Sequence, residues 1–174
     1  MKNEPKTMES VVARWFSLDD ENWMRHANPI SVWTRFTVMP LIALGIWSRV
    51  WLGWWCLAPI ALSLLWMYFN PQAFPPPKST KNWASRAVFG ERVLLNRKKI
   101  PLPTHHKGAI HNLLNGLAGL GFIPMVYGLV YLNAIYVAGG ILLMYLGKIW
   151  YLDRMVWLYM DMKDEHEEYS KWDY

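Results

Sequence analysis

Two long uncharged segments dominate the hydrophobic pattern of this chain. Residues 50–77 and 108–147 contain no Lys, Arg, Asp or Glu. A helix needs about 20 predominantly apolar residues to cross a hydrocarbon layer about 30 Å thick. The first segment therefore accommodates one crossing, and the second is long enough for two. With a further helix over residues 29–49, the pattern predicts four transmembrane helices.

Capping residues and prolines set the expected boundaries of these helices. The first is expected to begin at Pro29, a favourable first-turn residue, with Asn28 as its cap. The second, over residues 52–69, is expected to end at Asn70 and Pro71, because proline removes a backbone donor. The third is expected over residues 109–132, and the fourth follows it.

Three prolines fall inside predicted crossings, at Pro40, Pro59 and Pro124. Membrane helices tolerate proline when neighbouring groups satisfy the carbonyl that has lost its hydrogen bond. We therefore expect kinks near these positions.

The positive charges are distributed unevenly along the chain. They fall into three groups. In or before the start of the first helix lie Lys2, Lys6, Arg14, Arg25 and Arg35; between the second and third helices lie Lys78, Lys81, Arg86, Arg92, Arg97, Lys98, Lys99 and Lys107; and after the last apolar segment lie Lys148, Arg154, Lys163 and Lys171. Only Arg49 lies at an opposite-side turn. By the positive-inside rule, we expect a multi-pass protein of the cytoplasmic (inner) membrane, with both termini and loop 70–108 in the cytosol.

The expected fold class is all-α, an integral membrane bundle of four transmembrane helices with amphipathic interfacial segments at both ends. Residues 1–28 are expected to form a cytosolic interfacial segment, because apolar residues recur there at helical spacing. Residues 29–152 form the transmembrane domain, and residues 153–174 form a cytosolic helical extension and acidic tail. The acidic residues 164, 165, 167 and 168 are typical of a solvated tail.

Composition narrows the function classes. The formal net charge is +5, but a basic surplus in a membrane protein usually marks its cytosolic side, so we expect no nucleic-acid partner. Cys56 is the single cysteine, which excludes an intrachain disulfide and a multi-cysteine metal site. No Gly-rich phosphate loop or Ser elbow is present, and the sequence names no cofactor.

The candidate chemical groups all fall on the predicted cytosolic side. Histidine and carboxylate side chains can bind a metal or move a proton. The metal-site candidates are therefore His26, Glu91, His105 and His106, and His26, Glu91 and His106 are also the candidates for catalysis. Their spacing does not force them together, so polar capping and interfacial hydration remain open as alternative roles.

Basic residues of the cytosolic layer could bind anions. Each Lys or Arg near an anionic leaflet contributes on the order of 1 kcal/mol of attraction. A sharper hypothesis is a pocket for a phosphorylated headgroup, since arginine makes bidentate contacts with phosphate. The candidates for contact with a headgroup or partner are Arg25, Arg35, Arg86, Arg92 and Arg97.

One face of the third predicted helix carries small and amide residues, at Asn112, Asn115, Gly116 and Gly119. Small residues let another helix backbone approach closely in a membrane. Close helix packing is therefore the main interpretation of this face, and a ligand groove is the alternative.

Four sequence phrases occur in order along most of the chain. They are HANPISVWTRF at residues 26–36, NPQAFPPP at 70–77, FGERV at 89–93 and DRMVWLY at 153–159. Together they resemble an uncharacterised family, a domain of unknown function, of small four-helix membrane proteins from bacteria and archaea. The resemblance implies a layout with four crossings and supplies no activity or catalytic residues.

Two functional hypotheses follow. The first is a non-catalytic accessory or interaction subunit of a larger membrane assembly, because the chain is small and lacks a catalytic signature. Its partners would be the bilayer, including anionic lipids, and other membrane-protein subunits or further copies of the chain. The alternative is an enzyme or binding protein at the cytosolic interface for a lipid or other hydrophobic substrate, with or without metal assistance.

Overall fold

Helices account for the regular structure of the computed structural model, which describes residues 20–174. Within that range no strand is present, so the all-α fold class is confirmed for this part of the chain. Most of the interfacial segment predicted over residues 1–28 lies outside the described residues.

The helices follow one another closely along the chain. In order they are α1 (Asp20–His26), α2 (Pro29–Arg35), α3 (Val38–Trp47), α4 (Arg49–Leu52), α5 (Leu57–Ala73), α6 (Trp83–Leu95), α7 (Ile110–Leu120), α8 (Phe122–Tyr131), α9 (Ala134–Lys163) and α10 (Glu167–Ser170). Short 3₁₀ turns lie at Gly53–Cys56, Asn96–Lys98 and Thr104–His106. Asn28 caps α2 as predicted, since its Oδ1 accepts a hydrogen bond of 2.9 Å from the Ile30 amide.

Three helical stretches are long and apolar enough to cross a membrane. They are Pro29–Ala73, Thr104–Tyr131 and Ala134–Lys163. Their length and composition are compatible with a membrane protein.

The stretch Pro29–Ala73 folds back on itself as a hairpin. Near its open end, Ser31 Oγ donates a hydrogen bond of 2.8 Å to Asn70 Oδ1. Near its closed end, a Cβ at Gly45 would lie 2.9 Å from the Ile60 side chain. Early residues therefore pair with late ones, and α2–α3 run antiparallel to α5. The reversal includes Gly53, whose φ of 55° favours glycine.

A second antiparallel hairpin joins α7–α8 to α9. The two arms lie so close that a Cβ at Gly140 or Gly147 would fall 2.5 to 2.6 Å from a backbone nitrogen of Met125 or Ala118. The chain reverses at Leu132, which has a left-handed φ of 55°. Asn133 then caps α9 by accepting a hydrogen bond from the Ile135 amide.

Two of the three prolines interrupt their helices one turn upstream, as predicted. Pro40 has no N–H to donate to the Phe36 carbonyl, and the helix breaks between α2 and α3 at residues 36 and 37. The Tyr145 hydroxyl donates to that carbonyl instead. Pro124 similarly follows the break between α7 and α8 at Gly121. Pro59 lies in the first turn of α5, where the missing donor disrupts no helical bond, so α5 is not interrupted there. The predicted end of this helix at Asn70 and Pro71 was wrong, because α5 continues to Ala73 with Pro71 inside it; in its last turn the loss of one backbone donor does not end the helix.

The described residues contain two apolar cores. The smaller one joins α3 to the second hairpin and includes Ala43, Met125, Leu129, Val137 and Met144. The larger one surrounds α6 and the second half of α9. There α6 approaches α9 so closely that a Cβ at Gly90 would overlap the Met155 carbonyl.

The C-terminal tail packs into the larger core. Its acidic residues 164, 165, 167 and 168 are exposed, as expected of a solvated segment. However, Tyr169 is fully buried and Trp172 is 9% exposed, and both belong to the core. The Thr80 amide donates a hydrogen bond of 2.8 Å to the Tyr174 carbonyl. The tail is therefore held against the segment between α5 and α6.

The surface of the two hairpins is apolar. At their reversals, Trp54 is 88% exposed, Trp55 79% and Ile135 82%. Soluble monomers rarely expose contiguous apolar patches of this kind, and amphipathic Trp rings are enriched where a membrane meets water. The exposed surface is therefore compatible with burial in a bilayer.

Candidate functional site

A cavity of about 440 Å³ lies where the two hairpins meet α6. Its walls come from α2, α3, α6, α7, α8 and α9, so only the assembled helices create it. The volume falls within the range of about 300–1,000 Å³ typical of small-molecule sites. Most of the lining side chains are apolar, and a few charged and amide groups join them.

The charged groups of the cavity form one cluster. Lys148 Nζ donates to Glu91 Oε1 at 2.9 Å, and Glu91 also interacts electrostatically with Arg35. All three residues line the cavity. Two cations face one anion, which leaves one net positive charge in this part of the wall.

The apolar part of the cavity extends from this cluster toward the hairpin reversals. Met39 lies one turn beyond Arg35, and Met144 lies one turn from Lys148 in the direction of Asn133. Phe122 on the second hairpin lines the same region. Val32 and Leu152 also line the cavity, one turn from Arg35 and Lys148 in the opposite direction. The charged cluster is therefore set within a mainly apolar wall.

His26 contacts the charged cluster through Arg35. The Arg35 guanidinium donates from Nη1 to the imidazole of His26, and from Nη2 to the His26 carbonyl at 3.0 Å. Desolvation, followed by the positive charges of Arg35 and Lys148, lowers the pKa of His26 well below its ordinary value. His26 is therefore neutral near pH 7, and it positions Arg35 by accepting the hydrogen bonds of the guanidinium.

The predicted small-residue face of α7 contributes to the cavity. Asn115 and Gly119 line it. A Cβ at Gly116 or Gly119 would meet no heavy atom within 4 Å, and Asn112 is exposed. The close packing predicted for this face occurs instead at other glycines of the same hairpin, which are Gly121, Gly128, Gly140 and Gly147.

A second polar cluster lies between the 3₁₀ turn before α7 and the last turns of α9. His105 Nε2 and His106 Nε2 each lie 2.9 Å from Asp161 Oδ2. His111 Nε2 lies 3.2 Å from the His106 carbonyl. The ligand atoms of His105, His106 and Asp161 all lie within 4.8 Å of one another.

The four predicted metal candidates thus separate into two places. His105 and His106 converge with Asp161, whereas Glu91 lines the cavity and His26 contacts Arg35. Among residues 20–174, the group with Asp161 is the one that brings three potential ligands together. Sequence reasoning missed Asp161, Lys148 and Tyr145. All three lie on the long helix α9, and the sequence does not show which neighbouring segments each face of that helix contacts.

The predicted anion-binding arginines mostly bond within the protein. Arg25 pairs with Glu21 at 2.7 Å, Arg86 with Asp173 at 3.5 Å, and Arg92 with Asp20. Arg92 also lies 4.2 Å from the ring centroid of Trp172, a cation–π distance. Arg97 donates to the Leu94 carbonyl at 2.9 Å. Of the five, Arg35 lines the cavity.

The chain belongs to the family of unknown function DUF6653, whose model matches residues 7–172. The resemblance to an uncharacterised family is therefore confirmed. No curated protein and no solved structure matches the chain. The bacterial or archaeal origin and the four crossings that the resemblance implied stay predictions.

Proposed function

We propose that this protein crosses the cytoplasmic membrane four times and binds an amphipathic molecule with a single anionic group. The observation that carries the proposal is the cavity in which Arg35, Glu91 and Lys148 are set within otherwise largely apolar walls. These charged groups would lie near the cytosolic interface, and the wall formed by Met39, Phe122 and Met144 would lie in the hydrocarbon layer.

The four crossings are supported by the antiparallel pairing within Pro29–Ala73. A single straight helix of 45 residues would extend nearly 70 Å at 1.5 Å per residue, far beyond the hydrocarbon thickness of about 30 Å. Folding back at Gly53–Cys56 divides it into two arms of suitable length. The charged residues of loop 70–108 would then share one side with both termini.

The chemistry of the ligand follows from the charges in the wall. Lys148 and Glu91 neutralise each other at 2.9 Å, so the remaining charge of Arg35 favours a monoanion. A carboxylate or a phosphodiester meets this requirement, and its acyl chain would contact Met39, Phe122 and Met144. A fatty acid and an anionic phospholipid are the two sources of this chemistry.

Gly119 and Gly116 provide a matched pair of variants for the test. Both positions have open space beyond the missing Cβ, but Gly119 lines the cavity and Gly116 does not. Gly119→Leu should fill the cavity, while Gly116→Leu should leave it open. Both should fold, because replacing glycine inside a helix gains up to about 1 kcal/mol of helix propensity.

Binding would be measured with the purified protein in mild detergent. Spin-labelled stearate and spin-labelled phosphatidylglycerol would serve as anionic probes, and a spin-labelled monoacylglycerol as the neutral comparison. We expect saturable binding of one anionic probe. Its affinity should be at least tenfold weaker in Gly119→Leu, a loss of about 1.4 kcal/mol of binding free energy, and unchanged in Gly116→Leu. Equal binding by both variants, or equal affinity for the neutral probe, would contradict the proposal.

The first hairpin favours a second role as an interaction subunit. An apolar segment of 18 residues within Pro29–Ala73 is 6% buried, against 28% for the corresponding segments of the other two stretches. That segment of the first hairpin therefore has the most surface left for lipid or another membrane protein. Purification at native expression in mild detergent should recover a defined oligomer or a larger complex; a partner-free monomer would count against this role.

A further inference from the structure

The second polar cluster is independent of the cavity. His105 and His106 belong to the 3₁₀ turn Thr104–His106, which precedes α7, and Asp161 lies two residues before the end of α9. Asp161 follows Leu152, the last cavity-lining residue of α9, by nine positions, or about 13 Å along the helix. The cluster therefore requires a chemical explanation of its own.

Two neighbouring histidines each direct their Nε2 atom toward one carboxylate oxygen. His105 Nε2 and His106 Nε2 each lie 2.9 Å from Asp161 Oδ2. Consecutive side chains usually diverge around a helical turn, so their convergence requires both the 3₁₀ turn and the position of α9. Imidazole nitrogen and carboxylate oxygen are the donors that divalent zinc and related ions take in proteins.

We propose that His105, His106 and Asp161 bind a divalent transition-metal ion of the zinc class. Two histidines and one carboxylate form a three-residue ligand set of the kind that leaves coordination positions open for water or another ligand. Contraction of the cluster around a metal would replace the hydrogen bonds to Asp161 with bonds of about 2.0–2.2 Å.

The surroundings of the cluster fit such a site. His106 is buried at 4% exposure, whereas the side chains of His105 and Asp161 are 53% and 33% exposed. The metal would thus have one closed side and one side open to solvent. Trp157 lies against both imidazoles, with ring centroids 5.4 Å from His106 and 6.1 Å from His105. This packing limits the orientations of the two rings.

His111 supports the turn that carries the two ligands. Its Nε2 lies 3.2 Å from the His106 carbonyl, and its ring packs edge-on against Tyr151 at 6.2 Å. Groups behind metal ligands commonly fix ligand orientation in this way. His111 is therefore a positioning residue in the proposed site, which itself consists of the three residues that meet at Asp161.

The test uses full-length protein purified through a tag without histidine and treated with EDTA. Co²⁺ serves as the spectroscopic probe, because its visible bands report imidazole and carboxylate coordination, and Zn²⁺ serves as the competitor. We expect one Co²⁺ per chain with ligand-field bands that Zn²⁺ abolishes. Zn²⁺ should also raise the midpoint of thermal unfolding, since a ligand of the folded state stabilises that state.

Asp161→Asn and His105→Gln are the informative variants, because both side chains are partly exposed and their replacement leaves the core intact. Changes to groups behind the ligands already cost about 10–100-fold in affinity, so loss of a ligand should cost at least about 100-fold. Asp164→Asn and His166→Gln are matched controls from the same region, outside the cluster, and should bind as the original chain does.

The results separate a metal site from a cluster of hydrogen bonds. Absence of saturable one-to-one binding would overturn the proposal. So would binding that survives in both Asp161→Asn and His105→Gln, because the ion would then occupy another surface site. Thermal unfolding of each variant without metal confirms folding, and His105→Gln, the more exposed change, keeps the test decisive if Asp161→Asn fails to fold.

Discussion

Tyr145 and Pro40 act on the same backbone carbonyl from two different helices. Pro40 cannot donate to the Phe36 carbonyl, and the Tyr145 hydroxyl supplies the missing hydrogen bond. This contact links the break in the first hairpin to α9. In the proposed membrane location an unsatisfied carbonyl would cost several kcal/mol. Phe36 and Tyr145 also line the cavity, which places the contact in its wall.

We predict that Tyr145→Phe destabilises the protein by about 1–3 kcal/mol, because the Phe36 carbonyl loses its donor. Pro40→Ala restores an amide that can donate to the same carbonyl. Tyr145→Phe should therefore cost less in the Pro40→Ala background. Thermal unfolding of the four proteins of this double-mutant cycle measures the difference, and additive effects would contradict the shared carbonyl.

His26 provides a prediction about acid stability. Its pKa is lowered in the folded protein, so the unfolded chain binds the proton more readily and stability rises with pH. This stability is complete above the unfolded pKa of about 6.5 and falls as the pH drops below it. His26→Gln cannot titrate, and we expect it to lose less stability than the original chain between pH 7 and pH 5, by on the order of 1 kcal/mol.

Unfolding in detergent at pH 5, 6 and 7, followed by tryptophan fluorescence, would measure this difference. His166→Gln is the control, since His166 lies beside Tyr169 rather than among the Arg35 and Lys148 cations. Parallel pH profiles for His26→Gln and the original chain would show that His26 does not contribute.

At the scale of elements, α9 combines two kinds of packing. Its first half contacts α7 and α8 through glycines, so the backbones approach directly. Its second half contacts α6 through large side chains, including Met155, Leu158 and Tyr159, each fully buried, and through one close backbone approach, at Gly90. Apolar side chains would gain little by leaving lipid, so the reliance on small residues in the first half fits the proposed membrane crossing. The second half has a core like that of a soluble protein.

The neighbouring glycines of α9 test this difference. A Cβ at Gly140 would fall 2.5 Å from the Met125 amide nitrogen, whereas a Cβ at Gly139 would meet nothing within 4 Å. We expect Gly140→Ala to destabilise the second hairpin by about 1–3 kcal/mol through overpacking.

Gly139→Ala should instead be neutral or stabilising by up to about 1 kcal/mol, because alanine favours the helix. Both values come from thermal unfolding in the same detergent. Equal effects of the two substitutions would mean that the close approach of α8 and α9 is absent.

At the scale of the whole molecule, the chain divides into an apolar part and a part with a conventional core. The two hairpins direct Trp, Leu and Ile side chains outward, while α6, the second half of α9 and the tail enclose Phe89, Tyr159 and Tyr169. The cavity and the histidine cluster both involve the second part. Two of its arginines, Arg86 and Arg92, pair with acidic residues, so this part is a folded layer rather than a loose basic loop.

Topology mapping tests the arrangement of these two parts across a membrane. In a Cys56→Ala background, Lys99→Cys and Glu168→Cys should react with an impermeant maleimide only after the cells are opened. Trp54→Cys, at the reversal of the first hairpin, should react in intact cells. All three positions are exposed. Labelling of Lys99→Cys and Trp54→Cys from the same side would contradict the four crossings.

Local signals explain which parts of the fold could be predicted. Asn28 caps α2, and Pro40 and Pro124 cannot donate a helical hydrogen bond to the carbonyls four residues before them. Both effects depend only on the residues themselves and their near neighbours. The placement of Tyr169 and Trp172 in a core was missed. Their segment also contains four exposed acidic residues, and composition does not reveal which ring finds a partner.

The candidate sites could be predicted only in part. His105, His106, Arg35 and Glu91 are suited to chemistry by residue type, and the sequence predicts that all four lie on the cytosolic side. Their partners do not follow, since Asp161 is 55 residues from His106 and Lys148 is 57 residues from Glu91. Such contacts depend on the rotation and register of packed helices.

The sequence by itself determined which segments form helices, that a helical hydrogen bond is lost at Pro40 and Pro124, and which stretches are apolar enough for a bilayer, because these properties follow from backbone donors, propensity and transfer to lipid. Only the tertiary structure decided that Gly119 faces a cavity while Gly140 meets a backbone, and that two histidines share one carboxylate. The reason is geometric: these properties depend on which helix faces meet, and residues far apart along the chain supply the two sides of each contact.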